Sequence, residues 1–551
     1  MQHGVKDTFE VADEKQVING VSLEPVGQGF RFGRIFGHLN PYRPTDASLA
    51  ALGQSMTRET APAESTIPAG YTYFGQFIDH DITLDKSEDL PENLKENISL
   101  DDMKQLRSPS LDLDSVYGLP TELTHPSRDP DGLSLRLGHT TGVLPPAPTG
   151  LGATVDVPGH DVPRKPHGEA DIADPRNDEN LIIQQIHNVF LRFHNKVAAE
   201  LRGAADPTLP NAVIFAQARD LVTRHYQWLV LGDFVWRIVD PEIFKEILGI
   251  DKLDHGQQVT PNPLVFKVTA MQTPPMPLEF SAAAYRLGHP MVRNGYSWNK
   301  IFSQPATSFA LFFRFTHLSG DIGSAGLPTF PSNWIADWRR MFRLEEVAGF
   351  PAFARGNNIG AGEIPLNLAS SIDTNLAAAL GTLPKGGGNL ATRNLIRGSR
   401  NGLPSGQDVA ADIIRSGDPK TKVLSPAEIL SGLAPDKERA VVSGEFHLKT
   451  PLWFYILKEA EIAGGDKLGR VGSRIVLETF LALIRCSLTS IFAASTSSPG
   501  KLDVFSPANS PLRTPGGEPL LTMAHLLAYV GDVNPLGDDL GTPDVDSRLS
   551  A

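Results

Sequence analysis

The clearest helical pattern in the chain is residues 180–201, NLIIQQIHNVFLRFHNKVAAEL. Its apolar side chains recur every three or four residues, the spacing of an amphipathic helix with one buried face. Asp174 and Pro175 lie just ahead of it and are typical of a helix N-cap and a first helical residue. Similar patterns predict four further helices, over residues 208–230, 452–463, 473–487 and 521–530. Alternation typical of strands is scarce, so the sequence predicts a mainly α fold.

The composition limits the function classes. The chain has 551 residues, 63 of them acidic and 50 basic, with a net charge of −13. This acidic balance argues against a nucleic-acid-binding protein that works by neutralising phosphates. Cys486 is the single cysteine, which excludes disulfides within the chain, cysteine-based zinc sites and iron–sulfur clusters.

No targeting or membrane segment is apparent in the sequence. The first fifteen residues, MQHGVKDTFEVADEK, lack the apolar core of a Sec signal peptide. The most apolar stretch, residues 475–484, contains Glu478 and is shorter than the roughly 20 uncharged residues that a membrane span needs. We therefore expect no membrane span and a soluble protein, either cytoplasmic or exported by an unconventional route.

The loops do not divide the chain into separate units. Residues 145–168 are rich in proline and glycine, residues 381–388 are glycine-rich, and residues 535–551 are polar. No repeat of 20–50 residues is apparent, which argues against a solenoid. We predict a single large helical domain over residues 57–534, an N-terminal extension over 1–56 that wraps the core, and a mobile tail over 535–551.

The first segment with chemical potential is YFGQFIDHDITLD, residues 73–85. On a helix, Gln76 and His80 are four residues apart and share a face, and Asp79 is three residues from Gln76. Burying Asp79, His80 and Asp81 together is costly unless each has a partner. The alternative interpretation is a capped surface helix that ends in a polar turn.

Residues 174–179, DPRNDE, bring Arg176 and Glu179 within three residues of each other. In isolation, such a pair at the start of a helix is usually a solvated ion pair of little energetic value.

Two further segments pair a polar side chain with an arginine three residues away. In YRLGHPMVR, residues 285–293, the pair is Arg286 and His289. Gly288 leaves space beside the histidine, and Pro290 should end or kink the helix. A lone histidine in such a segment is more often structural than a metal ligand. In TRNLIRGSRNGLP, residues 392–404, the pair is Asn394 and Arg397. The alternative there is a basic helix end, where arginine is favourable against the helix dipole.

Residues 108–117, SPSLDLDSVY, alternate polar and apolar side chains. In an extended loop, the oxygens of Ser108, Ser110, Asp112 and Asp114 can converge on one hard cation. Ca²⁺ takes about six to eight oxygens, and the EF-hand pattern is missing here. A polar turn is the alternative.

Each of these segments is weak alone, but their order is specific. The succession GQFIDHD, SLDLDSVYG, RNDE, RLGH and NLIRGSRNGLP resembles the animal-type haem peroxidases, the family of myeloperoxidase, lactoperoxidase and peroxidasin. The resemblance extends from about Thr57 to Gly531, and the C-terminal segments GGDKLGRVGSRIVLETF and LLTMAHLLAY resemble those of bacterial members. It implies a single helical domain with haem b between a distal and a proximal helix.

The resemblance also implies a role for individual residues. His80 matches the distal histidine, Gln76 the distal glutamine of the small-anion site, and Arg176 the distal arginine. His289 matches the proximal ligand of the haem iron, and Asn394 matches the asparagine that accepts its ring N–H. Arg286 and Arg397 match the arginines near the haem propionates. Asp79 and Glu179 match the carboxylates that form ester links to the haem. The implied Ca²⁺ ligands are Asp81, Ser108, Ser110 (through its carbonyl), Asp112 and Asp114.

Two residues depart from the family pattern. Asn180 occupies the position where myeloperoxidase has a methionine, so no sulfonium link to the haem can form. The haem should therefore resemble that of lactoperoxidase at most. Pro290 directly follows the proposed iron ligand and can tilt it.

The resemblance implies a peroxidase that uses H₂O₂ to oxidise halides, thiocyanate or small aromatic donors, acting as a monomer. Fatty-acid dioxygenases of the same superfamily are the alternative, and they carry a radical-forming tyrosine three residues before the proximal histidine. Here that position is Arg286, and Tyr285 lies one residue earlier. A third alternative, a non-enzymatic scaffold that binds haem and Ca²⁺, predicts loss of His80 or Arg176, and both are present.

Overall fold

A computed structural model describes most of the chain, in segments separated by short gaps. The described residues are 17–18, 21–22, 30–58, 63–85, 100, 103, 105–118, 128–142, 157–268, 273–303, 306–324, 327–356 and 363–537. Helices dominate them, so the predicted mainly α, single-domain fold is confirmed. Among these residues, none of the helices combines the length and apolar composition that crossing a bilayer requires.

The α-helices of the described residues are numbered in chain order. They are α1 (Asp46–Met56), α2 (Gly70–Ile82), α3 (Asp114–Tyr117), α4 (Leu181–Ala204), α5 (Asn211–Trp228), α6 (Trp236–Ile238), α7 (Pro241–Leu248), α8 (Leu278–Ser281), α9 (Ala310–Arg314), α10 (Leu390–Arg400), α11 (Gly406–Ser416), α12 (Pro426–Leu430), α13 (Pro435–Ser443), α14 (Leu452–Ile462), α15 (Arg470–Cys486) and α16 (Met523–Val530). The predicted helices match α4, α5, α14, α15 and α16 to within a few residues.

Short 3₁₀ turns and one π-helical segment connect these helices. The 3₁₀ turns are Pro175–Asp178, Ala284–Gly288, Ser332–Trp334, Trp338–Arg340, Leu344–Glu346, Ala378–Gly381, Pro384–Gly386 and Pro507–Asn509. The π-helical segment, Leu229–Val235, continues α5. Such segments are rare and are often found at functional sites.

The strands are short and form small ladders at the margins of the helices. They are β1 (Val17–Ile18), β2 (Val21–Ser22), β3 (Phe32–Gly33), β4 (Thr57–Arg58), β5 (Glu64–Pro68), β6 (Gly138–His139), β7 (Pro158–Asp161), β8 (Gln258–Val259), β9 (Met276–Pro277), β10 (Gly295–Tyr296), β11 (Thr307–Ser308), β12 (Ala354–Arg355), β13 (Glu363–Ile364), β14 (Leu368–Ser370), β15 (Leu376–Ala377), β16 (Phe492–Ala494) and β17 (Leu502–Val504). The largest ladder has three strands in the order β16–β17–β8, and β5 pairs with β14 in an antiparallel ladder.

The long helix α4 begins later than its N-cap signal predicted. Asp174 caps the separate 3₁₀ turn Pro175–Asp178, where its side chain accepts from the backbone N–H of Arg176. Asn180 caps α4 itself, because its side-chain oxygen accepts from the backbone N–H of Ile183 at 3.1 Å. Two successive caps thus replace the single predicted one, and residues 175–179 form a turn beside the helix.

Helix α2 is buried in the core, so the alternative of a surface helix is wrong. The ring of Phe77 stacks on that of Phe190 from α4, with centroids 4.6 Å apart and planes 12° apart. His80 is 5% exposed and Asp81 is fully buried. The packing of α2 against α4 therefore fixes the direction in which the polar side chains of α2 point.

Helix α10 is held close to α1. A Cβ atom on Gly53 of α1 would lie 2.5 Å from the backbone nitrogen of Thr392, closer than real Cβ contacts. A glycine is therefore required at this crossing. The close approach positions the face of α10 that carries Asn394 and Arg397.

The predicted domain boundaries stay predictions. The described part of the N-terminal extension contributes β3, which pairs in parallel with β9, and α1, which packs on α10. Pro535 and Leu536, at the start of the predicted tail, are buried. Residues 538–551 lie outside the described residues, as do residues 143–156 of the proline-rich loop.

Candidate active site

One cavity of about 260 Å³ lies between α2, the turn Ala284–Gly288 and α10. Eight of the residues singled out from the sequence line it: Gln76, Asp79, His80, Glu179, Arg286, His289, Asn394 and Arg397. They come from four segments that are up to about three hundred positions apart in the chain. The fold therefore brings together nearly all of the predicted haem residues.

His80 lines one wall of the cavity and is held from behind by Asn177. The Nδ1 atom of His80 and the Oδ1 atom of Asn177 are 2.8 Å apart. Within the described residues, Nε2 of His80 has no hydrogen-bond partner, so it is left for the cavity. Burial and the nearby charge of Arg176 lower the pKa of His80 to about 4. The imidazole is therefore neutral at ordinary pH and can accept a proton at Nε2.

Arg176 lies beside the cavity and is not part of its lining. Its guanidinium donates through Nε and Nη2 to the buried carboxylate of Asp174, and through Nη2 to the carbonyl oxygen of His80 at 2.9 Å. Asp174 is also paired with Arg107, at 2.8 Å. Burial disfavours the charge on Arg176, but the Asp174 carboxylate outweighs it and raises the pKa of the guanidinium. Arg176 thus places a fixed positive charge next to His80.

Gln76 takes part in a chain of hydrogen bonds along the same wall. The Nδ2 group of Asn180 donates to Oε1 of Gln76 at 3.2 Å. The Oδ1 atom of Asn180 is already engaged in capping α4, so the amide of Asn180 has one orientation. Gln76 in turn donates through Nε2 to Glu179 at 3.4 Å.

The two predicted ester-forming carboxylates both reach the cavity. Asp79 is half-buried on α2, and its Oδ1 accepts from the hydroxyl of Thr83 at 3.0 Å. Glu179 follows the turn that carries Arg176, and burial raises its pKa. They reach the cavity from different elements of the fold.

The second histidine, His289, follows the turn Ala284–Gly288, which ends one residue before it as Pro290 predicted. The Nδ1 atom of His289 receives a hydrogen bond from Nδ2 of Asn394 at 2.6 Å, and Nη1 of Arg286 donates to Oδ1 of Asn394 at 3.2 Å. The predicted contact between His289 and Asn394 is present, but Asn394 donates to the ring, whereas the resemblance implied that it accepts the ring N–H. A metal at Nε2 requires a proton on Nδ1. Rotating the Asn394 amide by 180° would let its oxygen accept that proton, with loss of the hydrogen bond from Arg286.

The space beside His289 is open. A Cβ atom on Gly288 would meet nothing within 4 Å. Within the described residues, Nε2 of His289 has no hydrogen-bond partner, and burial followed by the charge of Arg286 lowers the pKa of His289 to about 3. With the Asn394 amide rotated, Nδ1 carries the proton and Nε2 of the neutral ring has the lone pair that binds a metal ion.

Two arginines of the proposed propionate site line the cavity with lowered pKa values. Burial lowers the pKa of Arg286 and of Arg397. Exposed Arg393, on the same helix as Arg397, also lines the cavity. Positive charge is therefore concentrated at this edge, as an anionic group would require.

Three residues support the site in ways that the sequence did not predict. Asn177 holds His80, Asp174 orients Arg176, and Trp453 of α14 donates to the carbonyl oxygen of Arg286 at 3.3 Å. The sequence contained only weak indications of these roles. Asn177 and Asp174 belong to the DPRNDE segment, and Trp453 lies in a predicted helix about 160 residues after His289.

The five predicted Ca²⁺ ligands lie next to one another. The hydroxyls of Ser108 and Ser110 are 2.6 Å apart, and Ser110 donates to Asp112 at 2.5 Å. The backbone N–H of Ser108 donates to Oδ2 of Asp114, and Asp81 accepts from the backbone N–H groups of residues 113 and 115. The loop therefore folds back onto the end of α2.

The electrostatics of this loop suit a cation. Burial and then the neighbouring Asp112 and Asp81 charges raise the pKa of Asp114 well above its usual range, and burial raises that of Asp81 to about 7. Oδ1 of Asp114 is buried without a hydrogen-bond partner. However, no three carboxylate, imidazole or thiol groups of the described residues are arranged to hold a metal ion by themselves. Any cation here needs the serine oxygens as well.

Comparison with known proteins gives a family match and several relatives. The family model described as animal haem peroxidase matches residues 92–405. The chain is 31% identical to thyroid peroxidase from Homo sapiens over 156 residues, which make up 27% of this chain and 15% of that protein. It is 26% identical to a peroxidase-like protein from Margaritifera margaritifera over 237 residues, 42% of this chain and 26% of that protein. The chain thus spans about a quarter or less of these relatives.

Solved structures with the same fold include both peroxidases and dioxygenases. Peroxidase A from Dictyostelium discoideum superposes with a TM-score of 0.53 at 16% identity, over 85% of this chain and 89% of that chain. A fatty acid alpha-dioxygenase from Arabidopsis thaliana gives a TM-score of 0.52 at 13% identity, over 84% and 73%. At such identities the likeness shows the fold alone.

Proposed function

We propose that this chain, which belongs to the animal haem peroxidase family, is a peroxidase that uses H₂O₂ to oxidise small donors. A single observation carries the proposal. His80 and His289 line one cavity, and in each ring Nδ1 is held by an asparagine while Nε2 is left free. His80 can then act as a base, and His289 can bind a metal once the Asn394 amide is rotated so that Nδ1 carries the proton.

The residues of the cavity fit a haem group. His289 would hold the iron, and Arg286 and Arg397 would pair with the propionates. The open space at Gly288 would leave room for the group beside His289. Bound there, haem would supply the redox chemistry that no side chain of the cavity provides.

The residues of the chain would then manage the protons of H₂O₂. Neutral His80 accepts a proton from the first oxygen at Nε2 and returns it to the departing oxygen. The fixed charge of Arg176 stabilises the negative charge that develops on that oxygen. Burial and this charge together keep His80 neutral, which is the form a base requires.

A direct test uses the absorption spectrum of the recombinant protein. We expect a Soret band that is lost in His289→Ala and retained in His225→Ala. His225 is a fully buried histidine, bonded to Ser510 and absent from the cavity lining. Retention of the band in His289→Ala would refute the assignment of the iron ligand.

Asp79 and Glu179 are proposed to form ester links to the haem after exposure to peroxide. Their positions on the cavity wall support this, and Asn180 excludes a sulfonium link. Acidified-acetone extraction after peroxide treatment is the test. Haem retained by the protein supports the links, and quantitative release of haem refutes them.

Ca²⁺ is proposed to bind at Asp81, Ser108, Ser110, Asp112 and Asp114. The orphaned oxygen of Asp114 and the raised pKa values of two carboxylates support a cation at this place. Because Asp81 follows His80 directly, the cation would pin the end of α2. EDTA treatment should therefore slow the reaction with peroxide before it unfolds the protein. A full rate with calcium verifiably absent would refute this role.

The donors are proposed to be halides, thiocyanate or small aromatic compounds. The amide groups of Gln76 and Asn180 and the arginines at the cavity edge suit small anions. The protein is further proposed to be a monomer, to bind no nucleic acid and to be soluble, either cytoplasmic or exported by an unconventional route.

A fatty-acid dioxygenase is the second candidate, because Tyr285 also lines the cavity. Its hydroxyl donates to the carbonyl oxygen of Gly75 at 3.1 Å, and its ring stacks on Phe280. Two assays separate the candidates: bromide or guaiacol oxidation with H₂O₂, and oxygen uptake with linoleate. Oxygen uptake that is abolished in Tyr285→Phe, without peroxide-dependent oxidation, would favour the dioxygenase.

A further inference from the structure

Asn177 links two buried histidines behind the cavity. It is fully buried, as is His187 of α4. Its Oδ1 atom lies 2.8 Å from Nδ1 of His80, and its Nδ2 atom lies 2.9 Å from Nδ1 of His187. The amide is therefore fully engaged between two imidazole rings.

The orientation of the Asn177 amide in the structure sets the direction of both hydrogen bonds. An amide nitrogen only donates, so Nδ1 of His187 must act as an acceptor. An amide oxygen only accepts, so Nδ1 of His80 must carry a proton. In a neutral ring, that proton leaves Nε2 of His80 with a lone pair.

We propose that Asn177 is a positioning residue that holds His80 in its Nδ1–H tautomer, and that His187 keeps the Asn177 amide in the required orientation. The inference rests on the proposed function only in taking Nε2 of His80 as the base. With the opposite tautomer, Nε2 would present a hydrogen to the cavity and could not accept a proton.

The position of Asn177 in the chain explains how one short turn can serve two purposes. The turn Pro175–Asp178 is capped by Asp174, whose side chain accepts from the backbone N–H of Arg176. Arg176 and Asn177 are adjacent in this turn. A rigid turn thus delivers the fixed charge and the tautomer control to His80 together.

The test compares two ligands of the haem protein. Hydrogen cyanide must give up its proton when it binds to ferric haem, and a neighbouring base assists this. Carbon monoxide binds to ferrous haem without any proton transfer. A loss of tautomer control should therefore slow cyanide association alone, whereas a general structural defect should disturb both ligands.

Three variants are needed. Asn177→Leu removes the acceptor with little change in volume. Asn177→Asp keeps an acceptor for His80, and His187 can switch its tautomer and donate to the carboxylate. Asn188→Leu is the matched control, because Asn188 is a buried asparagine of α4 that donates to the carbonyl oxygen of Asp161 and not to His80.

We expect cyanide association to fall about 10- to 100-fold in Asn177→Leu, the range seen when a supporting hydrogen bond is lost. Carbon monoxide association should stay within about twofold, since it needs no general base. Asn177→Asp should restore cyanide association to within about threefold of wild type, because its carboxylate is again an acceptor. Unchanged cyanide association in Asn177→Leu, or an equal loss in Asn188→Leu, would overturn the proposal.

A second measurement does not depend on the Asn177 variants folding. Nitrogen NMR of the histidine-labelled ferrous carbon monoxide complex reads the tautomer of His80 directly, with His80→Gln to assign its signal. A protonated Nδ1 is expected, and a protonated Nε2 would overturn the proposal. Neither measurement requires turnover. A protein that binds cyanide but does not use peroxide would refute the proposed function and leave this inference standing.

Discussion

Replacing Asp174 by asparagine should lower both the stability of the protein and its rate of reaction with H₂O₂. Asp174 is 1% exposed and is paired with Arg107 and Arg176, at 2.8 and 2.7 Å. Asparagine keeps the shape of the side chain but removes the charge. Two guanidinium groups would then be left without the carboxylate that neutralises them.

The size of the effect follows from the burial of these groups. Removing one partner of a buried ion pair costs about 3–5 kcal/mol. Unfolding entropy is about 2.1 cal/mol/K per residue, so this loss lowers the melting temperature of a 551-residue chain by about 3–4 °C. The reaction with peroxide should slow about 10-fold or more, because Arg176 loses the group that orients it.

The loss of stability should also depend on pH. Burial raises the pKa of Asp174, but the charges of Arg176 and Arg107 outweigh it and hold the pKa well below its usual range. A carboxyl with a lowered pKa in the folded state stabilises the fold above its unfolded pKa of about 4. The difference between wild type and variant should therefore be constant above about pH 5 and shrink below about pH 4.

Thermal unfolding at one scan rate and stopped-flow mixing with H₂O₂ measure the two effects. Asp337→Asn is the control, because Asp337 is fully buried and paired with Arg339 and Arg340, and these three residues do not line the cavity. The control should lose similar stability and keep its rate with peroxide. If Asp174→Asn reacted with peroxide as fast as the control, the proposed role of Asp174 would be wrong.

Two further predictions concern the same wall of the cavity. Asn180→Ser should keep the cap of α4, since serine is a good N-cap, but lose the hydrogen bond to Gln76. We expect spectroscopic titration to show that bromide or thiocyanate binds several-fold more weakly to the variant, while its melting temperature changes little. Unchanged affinity would exclude a role for Asn180 in placing Gln76. Because the pKa of His80 is lowered to about 4, the rate constant with H₂O₂ should be constant from about pH 5.5 to 8 and fall at lower pH. A fall with a midpoint near 6.5 in a stopped-flow pH series would contradict the burial of His80 as its cause.

Local sequence signals predicted much of the helical framework. The apolar period of residues 180–201 predicted α4, and Pro290 predicted the end of the turn before His289. The N-cap signal was wrong in one respect, since Asp174 caps a separate turn and Asn180 caps α4. Both residues are good caps, and local spacing alone does not say which of two adjacent caps begins the long helix.

Local spacing also predicted only part of the candidate active site. Gln76, Asp79 and His80 share a helix, so their spacing predicted a common face. Spacing did not predict that Arg176 lies beside the cavity and pairs with Asp174, or that Asn177 stands behind His80. The contacts of Arg176 and Asn177 with His80 join residues about a hundred positions apart, and only packing determines them.

The sequence by itself determined the types of side chain, their order, and the helices that carry them, because these depend on interactions between near neighbours. Only the tertiary structure decided which ring nitrogens remain free, which carboxylates are buried together, and that His80 and His289 share one cavity. These properties depend on the packing of α2 against α4 and of α10 against α1. Helix packing sets the distances between remote residues, and burial then sets their charges.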